Sequence, residues 1–138
     1  MKVVLDVNVL LSALIKDSTT RDVLVKADLE FYFPEASLHK IRKYEEYILE
    51  KSGLSKEEYE KILNNLFKKI KLISNEDIKM QWQEAKKIME HIDEEDVIFI
   101  ATALSLPNSI VWSHDKDFQK QEKIITLTTE QIIRRGEE

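Results

Sequence analysis

Lys2-Val3-Val4-Leu5-Asp6-Val7-Asn8-Val9-Leu10-Leu11 carries the two signals from which the architecture is read. Val3-Val4-Leu5 is apolar without alternation, the pattern of a short strand covered on both faces, and it ends directly on Asp6. Val9, Leu10, Leu11, Ala13, Leu14 and Ile15 then suit a helix packed back onto that strand. A buried strand followed at once by an apolar helix is the unit from which parallel sheets are built.

Working outward, the unit recurs. A second short helix is predicted from Arg21 to Ala27, and Glu30-Phe31-Tyr32-Phe33 is the next strand, closed by Pro34. From Ser37 one amphipathic helix is expected, with Leu38, Ile41, Tyr44 and Ile48 on a single face and Gly53 as its stop. Ser55 and Glu58 form a capping-box signature before a helix bearing Tyr59, Ile62, Leu63, Leu66, Phe67 and Ile70. Lys71-Leu72-Ile73 reads as a third strand. Ser74 with Asp77 resembles a cap for a helix carrying Trp82, Ala85, Ile88, Met89 and Ile92. A nearly all-apolar helix is expected from Glu94 to Leu106, then strands at Ser109–Trp112 and Ile124–Leu127, and a closing helix from Thr128 to Arg135. Strands alternating with helices over residues 1–138 indicate one α/β domain with a mainly parallel sheet.

Composition narrows the chemistry. The chain has 138 residues, and two Gly and two Pro leave no material for a flexible linker. With no Cys there is neither a disulfide framework, a thiolate zinc site nor a cysteine nucleophile. Gly53 and Gly136 cannot make a phosphate-binding loop, and there is no G-x-S-x-G elbow. No apolar run reaches the roughly 18 residues of a membrane span, and Asp6 and Asn8 interrupt the N-terminal stretch as a signal peptide would not, so a cytoplasmic location is expected. A net charge of −5 argues against gripping nucleic acid by bulk positive charge, and leaves room for an acidic site neutralised by metal.

In parallel sheets the functional groups gather beyond the carboxyl ends of the strands. Asp6 stands at such an end, Asp115 and Asp117 lie just past the Ser109–Trp112 strand, and Asp93-Glu94-Glu95-Asp96 opens the apolar helix that leads into it. If the first and fourth strands are neighbours, three separate segments deliver carboxylates to one rim. Such a cluster stays ionised only around positive charge, which a hard divalent cation supplies through oxygen ligands. Each acid also has an ordinary structural use as a cap or Asx-turn residue, Asp93 with Asp96 among them. His114, beside Asp115, is expected to face solvent, and Trp82 and Trp112 to pack in the core.

Three segments resemble the motifs of PIN domains, the group that includes VapC-type toxin ribonucleases. They are Leu5-Asp6-Val7-Asn8-Val9-Leu10-Leu11, Asp96-Val97-Ile98-Phe99-Ile100-Ala101-Thr102-Ala103-Leu104 and Trp112-Ser113-His114-Asp115-Lys116-Asp117-Phe118. The resemblance implies an α/β/α sandwich and Mg²⁺- or Mn²⁺-dependent hydrolysis of RNA phosphodiesters. It implies Asp6, Asp96 and Asp115 as catalytic metal ligands, Asp117 as a further ligand or a group supporting the ligands from behind, and Asn8 and Ser113 as residues orienting the site. It also implies an RNA substrate, a homodimer and a separately encoded antitoxin protein as partners.

One position departs from the family pattern. The Glu expected early in the helix after the second strand falls on Lys40, or on His39 one residue earlier; Glu45 and Glu46 do not take its place without a shift of register, while Glu35 could approach from the loop. The fourth carboxylate is thus unassigned. A rival reading follows, a PIN-fold binding module without catalysis, in which Lys40 pairs with Asp6 or Asp96 and fills the metal position. A third reading, a phosphoacceptor switch domain, finds only Asp115-Lys116 in its favour.

Overall fold

The computed structural model describes residues 1–15 and 19–137. Five strands, β1 (Lys2–Leu5), β2 (Glu30–Pro34), β3 (Ile70–Ile73), β4 (Ser109–Trp112) and β5 (Thr126–Leu127), form one sheet in the order β3-β2-β1-β4-β5. Every pairing is parallel. β1 pairs with β2 through Val3↔Phe31 and with β4 through Leu5↔Trp112, so the first strand of the chain is the central one.

The order explains the layers. From β1 the chain steps outward to β2 and β3, then returns across β1 to β4 and continues to β5. Because parallel crossovers are right-handed, opposite directions of travel place their helices on opposite faces. One helical group contains α1 (Val7–Ile15), α2 (Thr19–Lys26), α4 (Glu45–Ser52), α5 (Lys56–Lys69) and α10 (Thr129–Glu137), which pack among themselves. The other contains α6 (Asn75–Ile78), α7 (Trp82–Met89) and α8 (Val97–Ser105). The result is an α/β/α arrangement with its direction reversal between β1 and β4, the position where such sheets place their ligands.

The core is aromatic around that reversal. Phe31 meets Trp112 at 6.0 Å between ring centroids, and Phe99 of α8 bridges Phe33 at 6.1 Å to Phe118 at 6.2 Å. All five rings are essentially inaccessible to solvent, each contributing about 1.5–3 kcal/mol by its burial. Trp112 also donates its indole N–H to Thr129 Oγ1 at 3.0 Å, so its one polar atom is satisfied inside the core.

Several local expectations hold and several do not. Gly53 ends α4 with φ of 70°, and Ser55 and Glu58 exchange both capping-box hydrogen bonds. The helix expected from Ser37 to Gly53 is instead a 3-10 turn (Glu35–Ser37), α3 (Leu38–Lys43) and α4, broken at Tyr44. Tyr44 lies outside the core, 40 % exposed. Ile70 starts β3 rather than ending the preceding helix, and β5 is confined to two residues. Ser74 sits at the α6 N-cap but gives its hydroxyl to Asp77 Oδ2 at 3.1 Å instead of accepting a backbone N–H. Trp82, expected in the core, is 40 % exposed.

Candidate metal centre

The pairing of Leu5 with Trp112 makes the next residues of both strands, Asp6 and Ser113, emerge side by side. Both are buried. The Asp6 N–H extends the strand contact by donating to the Trp112 carbonyl at 3.1 Å. Ser113 Oγ donates to Asp6 Oδ2 at 2.7 Å and accepts the Asp115 N–H at 2.9 Å. Asp115 in turn accepts the Asp117 N–H at 2.9 Å and caps the short helix α9 (Lys116–Gln119). One hydroxyl therefore holds the carboxylate of the first segment against the backbone of the third.

The second segment arrives from the other helical group. A 3-10 turn at Glu94–Asp96 leads into α8, and Asp93 caps it by accepting the Glu95 N–H at 2.9 Å. Asp6, Asp93, Glu95, Asp96 and Asp115 line one cavity of about 500 Å³, with Asn8 and Tyr44 at its border and His39, Lys40 and Lys43 on the side of α3. Asp117 is not part of that lining but joins the acids: one carboxylate oxygen from each of Asp93, Asp96 and Asp117 lies within 4.8 Å of the others.

Asp96 is the least satisfied member. It is only 9 % exposed, and its Oδ2 is buried without a hydrogen-bond partner among the described residues. A buried carboxylate oxygen without a donor is costly, and the cost is normally relieved by protonation or by a cation. Burial, and then the charges of Asp93, Asp6, Asp115 and Asp117, push the Asp96 carboxyl up to about 7. Asp6 is also raised, chiefly by burial. The Ser113 hydrogen bond opposes the rise, Asp115 adds to it, and the N–H groups of Asn8 and Val7 at the start of α1 oppose it. An all-oxygen donor set with an orphaned, mutually repelling carboxylate fits a hard divalent cation such as Mg²⁺ or Mn²⁺.

The sequence-predicted acids Asp6, Asp96, Asp115 and Asp117 are thus brought to one rim, joined by Asp93, which the sequence placed in the same acidic segment but not among the ligands. Glu35, Glu45 and Glu46 do not line the cavity. The signal for Asp93 lay in its spacing: three residues before Asp96, across one tight turn, it must return to the same side. Asn8 is exposed on the border, and its amide makes no hydrogen bond to the described residues. Lys40 lines the cavity but does not pair with Asp6 or Asp96; its Nζ lies 6.0 Å from the centroid of the Phe99 ring. His114 does not line the cavity. Its Nε2 is 2.7 Å from Thr129 Oγ1, the hydroxyl that also accepts the Trp112 indole N–H.

The family model described as "PIN domain" matches residues 4–134. In three dimensions the chain is similar to one from the crystal structure of VapBC2 from Rickettsia felis bound to a DNA fragment from their promoter. The superposition has a TM-score of 0.66 and covers 93 % of this chain and 98 % of that one. Sequence identity is 18 %, so the likeness is one of fold. No protein of curated function matches the chain by sequence.

Proposed function

The chain belongs to the PIN domain family, and on that premise we propose that it is a divalent-metal-dependent ribonuclease, hydrolysing RNA phosphodiester bonds with Mg²⁺ or Mn²⁺. The observation that carries this reading is the buried, unpartnered Oδ2 of Asp96, a residue that lines the cavity with the other carboxylates of the rim. Asp6, Asp96 and Asp115 would hold the ion, with Asp117 and Asp93 beside them. Bound there, a divalent ion supplies Lewis acidity, lowering the pKa of water and stabilising charge that develops on the phosphate. The chain's own residues supply position. Ser113 sets the Asp6 carboxylate and the Asp115 backbone at fixed distance, and Asn8 stands at the cavity border, where it can orient an incoming group. No side-chain nucleophile is needed, which is consistent with a chain that has no Cys.

The same premise supports a toxin of a toxin–antitoxin pair, a single domain over residues 1–138 acting in the cytoplasm as a homodimer, with a small antitoxin protein as partner. The structural neighbour was crystallised as VapBC2 on promoter DNA, which supports a partnered state for this chain. The test is Mn²⁺-dependent cleavage of RNA by the wild type and by Asp96→Asn. The variant is expected to lose cleavage; equal cleavage by both sinks the assignment.

A second reading, a PIN-fold binding module without catalysis, keeps one observation in its favour, that Lys40 lines the cavity, although Lys40 does not make the pair with Asp6 or Asp96 on which that reading was built. Under that reading Lys40→Glu creates Mn²⁺ affinity that the wild type lacks. Affinity left unchanged by the substitution counts against it.

A further inference from the structure

Five carboxylates line the cavity, and one divalent ion offsets two of those charges. An anionic phosphodiester entering it is repelled by those acids with or without an ion, and is held only where cations stand closer to it than the carboxylates do. Among the described residues, the cations lining the cavity are Lys40 and Lys43. They stand three residues apart on α3 and hence on one face of it. Lys40 is half-buried, with its Nζ 6.0 Å from the Phe99 ring centroid, and it forms no ion pair among the described residues. Lys43 is likewise without an ion pair there, its Nζ 5.7 Å from the Tyr44 ring centroid. Arg42 between them turns away from this cavity, lining instead an apolar groove with Leu63 and Phe67. Helix α3 thus sorts its cations, two into the cavity and one out of it. A solvated helix end would leave Lys40 exposed; it is not.

We propose that Lys40 and Lys43 form a phosphate-binding wall on the α3 side of the cavity, so that single-stranded RNA is held by this site without a divalent ion. The inference takes its ligand from the nuclease reading but does not need the metal. Where the family pattern expects a carboxylate, Lys40 gives the phosphate a direct contact.

The test is fluorescence anisotropy of a short fluorescein-labelled oligouridylate with the wild-type protein in EDTA, across a range of salt. Neutralised phosphates release counterions, and each contact to a single strand contributes about 0.7 to the slope of log K against log salt. Lys40→Met and Lys43→Met should each lower the slope by about 0.7, and the double variant by about 1.4. Methionine keeps an apolar stem over Phe99, and a thermal melt checks that each variant is folded. Lys40→Arg should restore the slope, which a merely structural role for Lys40 does not predict. Lys79→Met, at a lysine paired with Glu76 and outside the cavity, should leave it unchanged. No saturable binding in EDTA, or wild-type slopes in both methionine variants, overturns the inference while leaving the nuclease reading standing. Lysine-dependent binding by a wild type that cleaves no RNA with Mn²⁺ supports the phosphate wall and overturns the nuclease reading instead.

Discussion

Replacing Asp96 with Asn should make the metal-free protein more stable, although it removes a residue of the candidate centre. The amide has nearly the same shape but no charge, and its N–H can donate to the carboxylates around it. In the wild type, folding moves the Asp96 carboxyl from an ordinary value of 3.8 up to about 7. Below that ordinary value both states hold the proton and the residue costs nothing. As pH rises, the unfolded chain releases the proton first while the folded chain keeps it, so stability is lost between about pH 4 and 7 and the deficit is complete above 7. Each tenfold change in proton affinity is worth about 1.4 kcal/mol, giving an upper bound of about 4 kcal/mol. The cavity is open to solvent, and screening brings this to about 2 kcal/mol. For a domain of this length that corresponds to about 8 °C in Tm. Circular dichroism melts in chelator should show Asp96→Asn equal to the wild type near pH 4 and about 8 °C more stable at pH 8. Excess Mn²⁺ should reverse the order, because an ion at a hundred times its Kd stabilises only the wild type, by about 2.7 kcal/mol. A variant no more stable than the wild type at pH 8 in chelator, or a gain that does not change with pH, refutes the reasoning.

Ser113→Ala removes the donor to Asp6 Oδ2 and the acceptor of the Asp115 N–H, and should cost about 1–3 kcal/mol. Because that hydroxyl helps keep Asp6 ionised, the loss in Tm should be greater at pH 8 than at pH 4; an equal loss at both would separate Ser113 from Asp6. Gly53→Ala meets no atom within 4 Å of its added Cβ but must hold φ at 70°, so a denaturant titration should give a loss of about 1 kcal/mol from backbone strain alone. Ser55→Ala should cost a similar amount, about 1 kcal/mol, through loss of the capping box; no change in the urea midpoint would remove that cap from the account.

The sheet was legible because its strands are short apolar runs bounded by Asp6, Pro34 and Pro107, and because nothing else in the chain competes for their positions. Gly53 and the Ser55–Glu58 pair were legible because their chemistry is local. The break at Tyr44 was not, since no Gly or Pro stands there and the aromatic continues the apolar spacing. The charges carry a fainter signal: Lys40, Arg42 and Lys43 close α3 and Glu45 and Glu46 open α4, as two helix dipoles meeting end to end would favour. Ile70 follows the helical period of α5, yet its pairing with Phe31 decides its state, and no local pattern contains that partner. The exposure of Trp82 likewise depends on where α7 meets α8. At the rim, the acids Asp6, Asp96, Asp115 and Asp117 could be named from the strand ends, but their convergence rested on β1 lying beside β4, a tertiary fact. Asp93 was hidden by a second role, since one oxygen does cap the Glu95 N–H. Lys40 was legible as a departure, while its lack of an acidic partner was a matter of geometry.

The central claim is that the rim holds a divalent cation, and calorimetric titration of the purified protein with Mn²⁺ tests it most directly, with Asp6→Asn as the paired variant. Asp6 is buried and joined to the other strand end through Ser113, so its carboxylate is fixed in place before any ion arrives. Saturable binding by the wild type that disappears in Asp6→Asn is the predicted result. No binding by the wild type up to millimolar Mn²⁺, or binding unchanged in the variant, would contradict it.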